Sequence, residues 1–292
     1  MSVIACAPAV NDDPLERARR LIDRGSPEPL TLEQLAGEAG LSSYHFSRQF
    51  TARFGISPVA CVRQQRLTLA ADRLSRDQSL SLIDLAFDTG FDSQEAFTRA
   101  FKRLFGVPPG QYRRKRNPLL AESIMTSKNT ITITVTQSSV PVRKNGLRIV
   151  GLAAVFDEAT KSGIPRLWQQ LIPRLPVEGQ VSGESYGVCA GVPGQPGTMR
   201  YTAGVPVSAE APVPVGFEAI HIAPHTYLVF RQILDGGDIH LQMSAAAREI
   251  WGERLPKSGY RLSQSPDLEW YSADFRPNTA GVAVEWWIPV EE

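Results

Sequence analysis

Apolar residues in the first 116 positions recur at helical spacing, within a chain segment rich in Leu, Ala, Arg and Gln. After Arg116 the rhythm changes. Thr130-Ile-Thr-Ile-Thr-Val-Thr136 alternates strictly, which is the period of a half-buried strand. Further strand-like runs lie at 187–190, 227–230 and 282–290, and helical patterns interrupt them near 164–174 and 241–254. The pattern predicts an all-α domain over 12–116 and an α+β domain over 130–292. Residues 117–129, with Pro118, Ser123, Thr126 and Ser127, read as the linker.

The helical half repeats itself. Leu30-Thr-Leu-Glu-Gln-Leu-Ala36 matches Leu80-Ser-Leu-Ile-Asp-Leu-Ala86, and Gly40-Leu41 matches Gly90-Phe91. One extra residue then enters, after which Phe46 pairs with Phe97, Arg48 with Arg99, and Phe50 with Phe101. Each copy reads as a helix-turn-helix unit. Thr31 with Gln34, and Ser81 with Asp84, open a short first helix, the former as a capping box. Gly40 and Gly90 end it, since glycine accepts the left-handed conformation of a C-terminal cap. Ser42 or Ser43, and Asp92 or Ser93, cap a second helix with phenylalanines on one face. Pro58 to Arg76 is a long helix joining the copies. A plain bundle with solvated arginines is the alternative. Against it stand two units with Arg in one register, since successive major grooves about 34 Å apart admit two recognition helices.

Composition sharpens this only a little. The 292 residues are 42% hydrophobic and 21% charged, which suits two globular domains. A net charge of +1 conceals 17 basic against 13 acidic residues up to Arg116, and the reverse imbalance beyond. No run approaches the ~20 apolar residues of a membrane span. Residues 1–11 show no basic region before their apolar run, so no signal peptide is expected. Cys6, Cys61 and Cys189 are few and scattered, which argues against a disulfide framework or zinc site and for a reducing cytoplasm.

The motif Ser43-Tyr-His-Phe-Ser-Arg-Gln-Phe50 with Phe54-Gly-Ile-Ser-Pro58, and its counterpart from Ile83 to Arg113, resemble the DNA-binding domain of the AraC/XylS family. The resemblance covers about a hundred residues. It implies base contacts from Tyr44, Ser47 and Arg48 in the first unit, and from Gln94, Glu95 and Arg99 in the second. Glu95 departs from the glutamine of relatives; a carboxylate can accept from cytosine but is repelled by phosphate. His45 could contact phosphate or simply be exposed.

All five tryptophans lie in the second half. A cleft lined by aromatics around one buried acid would suit a flat or cationic ligand. In Val282 to Val290, alternation sends Val284, Trp286 and Ile288 to one face and Ala283, Glu285 and Trp287 to the other. Glu285 is therefore the candidate acid, with an exposed strand carboxylate as the alternative. The order of Ile149-Val-Gly-Leu152, Ile164-Pro-Arg-Leu-Trp168, Tyr186-Gly-Val188, Met199-Arg-Tyr201, Tyr227-Leu-Val-Phe230, Leu268-Glu-Trp-Tyr271 and Glu285-Trp-Trp-Ile-Pro-Val290 resembles the GyrI-like effector-binding domain behind Rob-type regulators. That resemblance implies two β-α-β-β-like modules with a ligand cleft between them. It implies effector contacts from Glu285 and Tyr271; Trp168, Tyr186, Tyr201 and Trp287 are the further candidate effector-binding residues, as aromatic walls of the cleft. Residues 231–237 depart from the compact turn of relatives.

Three enzyme signals remain. Gly183-Glu-Ser-Tyr-Gly187 matches GxSxG, but the Gly/Pro-rich residues after it cannot form the helix of a nucleophile elbow. His221 and His225 have i,i+4 spacing, but Pro224 intervenes and no further ligand completes a metal set. Stand-alone GyrI-like proteins that look like hydrolases leave a catalytic cleft acid as the alternative to sensing, and an interaction module is a third. The expectation is a non-enzymatic cytoplasmic regulator, nucleoid-associated when on DNA. Double-stranded DNA, a small-molecule effector and RNA polymerase are its partners, with no cofactor, metal or membrane.

Overall fold

The computed structural model describes residues 13–25, 30–77, 79–115, 134–138 and 140–291. The linker at 117–129, the N-terminal residues 1–11 and Cys6 lie outside the described residues. So does most of the alternating 130–136 run. The rest falls into two compact units, one of 13–40 and 55–115, the other of Leu41–Phe54 and 134–291.

Seven helices precede the first strand among the described residues: α1 (Pro14–Arg24), α2 (Leu32–Glu38), α3 (Ser43–Phe54), α4 (Pro58–Arg76), α5 (Leu82–Asp88), α6 (Gln94–Phe105) and α7 (Pro109–Lys115). All but α3 belong to the first unit. Their starts are local chemistry. Thr31 and Gln34 form a reciprocal capping box on α2. Ser57, Ser81 and Ser93 each accept from the backbone N–H three residues on, satisfying donors that a helix start leaves open. Pro58 is the first residue of α4 and Pro109 of α7, where a missing N–H costs nothing. Gly106 ends α6 at φ 76°, in the left-handed region. Phe97, Phe101 and Phe105 form one buried stripe of α6, with successive ring centroids 5.5 and 4.5 Å apart. They pack on Leu67, Ala70, Ala71 and Leu74 of α4 and on Leu85 and Ala86 of α5.

The second unit is built on one antiparallel nine-stranded sheet. Its strands are β1 (Thr134–Gln137), β2 (Val142–Lys144), β3 (Leu147–Phe156), β4 (Ser185–Gly191), β5 (Met199–Pro206), β6 (Glu218–Ile222), β7 (His225–Ile233), β8 (Asp267–Tyr271) and β9 (Ala283–Pro289). The spatial order is β1-β7-β9-β8-β4-β5-β3-β6, with β2 also on β7. Helix α8 (Ile164–Leu171) crosses between β3 and β4. Helix α9 (Ile239–Glu249), extended by a π-helical turn at Ile250–Arg254, crosses between β7 and β8. The result is two β-α-β-β modules, β3-α8-β4-β5 and β7-α9-β8-β9, paired along β4 and β8. At that seam Gly187 faces Glu269 across the ladder.

Alternation divides the sheet's side chains between two cores. On the helix-covered face, Val150, Cys189, Tyr201 and Val205 pack with Leu167 and Leu171 of α8. On the same face Phe230, Val284, Trp286 and Ile288 pack with Ala246, Ile250 and Trp251 of the α9 segment. Half-buried Trp168 touches both clusters. The other face carries Ile149, Tyr186, Val188, Tyr227 and Leu268, with Trp270 and Trp287 against them. Val284, Trp286 and Ile288 thus part from Trp287, as alternation in the sequence requires.

Candidate functional site

The second helix-turn-helix unit offers its recognition face to solvent. Gln94 opens α6 half-buried, while Glu95 and Arg99 are exposed. Arg99 lines a cleft of about 350 Å³ with Arg63, Arg66 and Arg103, beside Thr89, Gly90 and Phe91. Arg63 lies 5.9 Å from the Phe91 ring centroid. Four guanidiniums converging from α4 and α6 make a basic surface suited to phosphate. Of these four, sequence reading assigned only Arg99 to DNA; Arg63 and Arg66 sit on the joining helix and Arg103 late in α6.

Helix α3 is held differently. Ser42 Oγ accepts from the His45 N–H, which settles the cap. Ser47 is half-buried. Tyr44 Oη donates to Asp267 Oδ1 at 2.9 Å, and Arg48 Nη1 donates to Asp267 Oδ2 at 2.5 Å and to Tyr44 Oη at 2.7 Å. Asp267, at the start of β8, is 2% exposed, so this is a desolvated ion pair. Burial holds the Tyr44 hydroxyl well above its usual range. Arg48 is held well above its own: burial opposes its charge, and Asp267 overcomes that. His45 is buried and stacks on Trp251 at 5.9 Å between centroids. Burial lowers its pKa to about 4, with Asp267 opposing the fall.

The six expected effector residues divide between the two faces of the sheet. Trp168, Tyr201 and Tyr271 come together on the helix-covered face at the seam of the modules, and the acid they surround is Glu269. Tyr201 Oη donates to Glu269 Oε2 at 2.6 Å, Tyr271 Oη donates to the same oxygen at 2.9 Å, and Trp168 Nε1 donates to Tyr201 Oη at 3.0 Å. Trp168 meets Tyr271 edge to face at 5.1 Å, and Tyr271 meets Phe275 at 4.8 Å. Burial pushes the Glu269 carboxyl up, against the two tyrosine hydrogen bonds that favour its anion. Across the seam, a Cβ on Gly187 would run into Tyr201 Oη and lie 2.6 Å from Glu269 Oε2. Glycine at 187 therefore makes room for the tyrosine–carboxylate pair.

Tyr186, Glu285 and Trp287 lie on the opposite face. Trp287 Nε1 donates to Glu285 Oε2 at 3.0 Å. Lys144 Nζ, from β2, sits 4.2 Å from the Trp287 centroid and 5.4 Å from that of Tyr186. Burial lowers the Lys144 pKa, with Glu184 and Glu285 opposing. This aromatic–acid group already holds a cation of its own, whereas Glu269 makes no ion pair among the described residues. The six residues expected around Glu285 thus form two clusters, and the half-buried carboxylate at the module seam is Glu269. The signal was present in Leu268-Glu-Trp-Tyr271, a second glutamate among strand aromatics.

Ser185 opens β4 and is followed by strand, so the GxSxG match lacks the strand-to-helix turn of a nucleophile elbow. His221 lies on β6 and His225 on β7, so their spacing is not that of one helical face. Among the described residues no cluster of three His, Cys, Asp or Glu is placed to hold a metal. Cys61 and Cys189 are free and buried. No helix among them is long and apolar enough to cross a membrane.

Comparison with known proteins bears on both halves. The helix-turn-helix domain family matches residues 35–115, and the GyrI-like small molecule binding domain family matches residues 142–291. The chain is 36% identical over 95 residues to the transposon Tn10 TetD protein of Escherichia coli, covering 32% of this chain and 68% of that one. It is 40% identical over 87 residues to the right origin-binding protein of Escherichia coli (strain K12), covering 30% of each. The chain therefore spans under a third of that relative's length. A bacterial transcription regulation protein from Staphylococcus aureus MU50 is a similar solved structure. Its identity is 18% and its TM-score 0.39, covering 56% of this chain and all of that one.

Proposed function

Because the chain belongs to the AraC/XylS family of transcriptional regulators, with a GyrI-like small-molecule-binding domain behind the helix-turn-helix domain, we propose that it is a regulator of transcription whose effector is a lipophilic cation bound at Glu269. One observation carries the effector reading. Glu269 is a half-buried carboxylate at the seam of two modules, walled by Trp168, Tyr201 and Tyr271, with hydroxyl partners and no ion pair among the described residues, and burial pushes its carboxyl up. Burying such a group is costly until an opposite charge arrives. Aromatic walls add cation–π attraction of about 0.5–2 kcal/mol and exclude water. Tyr44, Ser47 and Arg48 of α3, with Gln94, Glu95 and Arg99 of α6, are the proposed base readers. Arg63, Arg66 and Arg103 are the proposed phosphate contacts. The protein acts in the cytoplasm, on the nucleoid, binds its ligand without turnover and meets RNA polymerase as its protein partner.

Isothermal titration of the full chain with benzyltriphenylphosphonium and with neutral triphenylphosphine oxide tests the site. Glu269→Gln keeps the shape and removes the charge; it should weaken the cation at least tenfold and the neutral compound less than twofold. Glu285→Gln should change neither. Equal losses for both compounds in Glu269→Gln, or a cation-selective loss in Glu285→Gln instead, would overturn the assignment.

A further inference from the structure

We infer that the GyrI-like domain carries a guanidinium-binding recess, formed by Asp267 and Trp251, whose occupant is the recognition helix α3. With α3 seated there, the first helix-turn-helix unit cannot read DNA.

Asp267 is an acid buried without a basic residue of its own strand to pair it. Among the described residues the hydrogen bonds to its carboxylate come from Tyr44 and Arg48, both on α3. The Arg48 guanidinium also lies 4.0 Å from the Trp251 ring centroid, so it is paired with an anion on one side and an aromatic face on another. A turn further along α3, Arg53 pairs with Glu253 at 2.5 Å. Ala52 packs against the cluster that contains Trp251.

Two glycines mark the places of closest approach. A Cβ on Gly252, in the π-helical turn, would lie 3.0 Å from the Ala52 carbonyl carbon. One on Gly191, at the end of β4, would lie 2.9 Å from Tyr44 Cβ. Neither glycine has a positive φ, so backbone conformation does not demand glycine at either position. What both provide is space for α3. The side chains occupied are those expected at base edges, and the acceptors that occupy them are a carboxylate and a ring. Asp267 thus accepts from Arg48 through one carboxylate oxygen and from Tyr44 through the other, and so takes up donors that base reading would need. Arg48 cannot satisfy Asp267 and a base together, so docking and reading exclude each other.

The test uses the full chain without effector, so its outcome is independent of the Glu269 reading. Asp267→Asn removes the charge at constant shape, and Gly252→Leu displaces α3 with every charge kept. Amide hydrogen exchange over 43–54 should quicken in both variants. Affinity for a random-sequence 30-base-pair duplex, read by fluorescence anisotropy at low salt, should rise at least fivefold in both. Adding Arg48→Ala to Asp267→Asn should abolish the gain. Unchanged exchange in both variants would show that α3 does not sit in the recess. Faster exchange with unchanged or weaker DNA binding would show that its seat does not block reading. Either result overturns the inference.

Discussion

His45 gives α3 and its surroundings a pH dependence that can be signed in advance. Its imidazole is stacked on Trp251, with Tyr44, Arg48 and Asp267 the nearby groups that titrate or carry charge. Burial lowers its pKa to about 4, from an ordinary value near 6.5. A depressed histidine pKa stabilises the folded form above the unfolded value and ceases to do so as pH falls toward the folded one. Thermal unfolding midpoints should therefore drop between about pH 6.5 and pH 4. Glu269 acts in the opposite sense, because its carboxyl is pushed up and its protonation favours the folded form. The comparison is therefore with His45→Gln, whose midpoint should fall less over that range; parallel curves would remove His45 as the cause. The same scale shows why sequence reading and the structure single out different acids. Glu269 and Glu285 both sit among strand aromatics, and alternation correctly put Glu285 beside Trp287. Which face the helices cover is fixed by how α8 and α9 pack back on the sheet, and no local pattern carries that.

Helix boundaries were legible because they rest on neighbours in sequence. The Thr31–Gln34 box, Pro58 at the head of α4 and the phenylalanine stripe of α6 are each set within a turn or two. Strand β5 went unmarked because Tyr201 to Pro206 is buried without a break, so its residues do not alternate as a half-buried strand does. Helix α9 begins two residues before the apolar pattern does, because Asp238 caps it by accepting from His240 and Leu241. Helices α4 and α6 also yield a quantity. If Arg63 and Arg66 on α4 and Arg103 on α6 meet phosphates, each removal should lower the salt slope of DNA binding by about one. Arg66→Ala and Arg103→Ala should weaken all duplex sequences alike. Arg99→Ala should instead lose about 1–3 kcal/mol, mainly at one base pair. Anisotropy titrations over a salt series check this, and an unchanged slope in Arg66→Ala would exclude it from the phosphate surface.

At the scale of the whole molecule, a ligand changes DNA affinity only by binding one conformational state better than another. The strand β8 supplies a route. Asp267 and Glu269 are two residues apart on one face of it, so the site proposed for the cation neighbours the acid that holds α3. Arg48 feels both carboxylates, since its charge steadies Glu269 as well as pairing Asp267. A cation seated at Glu269 neutralises one of those carboxylates and places a like charge near Arg48. In a desolvated setting that repulsion is weakly screened. The seated state of α3 is therefore the one the ligand disfavours, and the ligand should raise DNA affinity. Saturating benzyltriphenylphosphonium should tighten duplex binding by the wild-type chain severalfold, while triphenylphosphine oxide should not. In Asp267→Asn, where the hold on α3 is already weakened, the cation should add little. By reciprocity, duplex DNA should tighten the cation on the wild-type chain by the same factor. Titrating each ligand in the presence and absence of the other measures both arms. A cation that binds at Glu269 yet leaves DNA affinity unchanged would break the link between the two sites while leaving each of them standing.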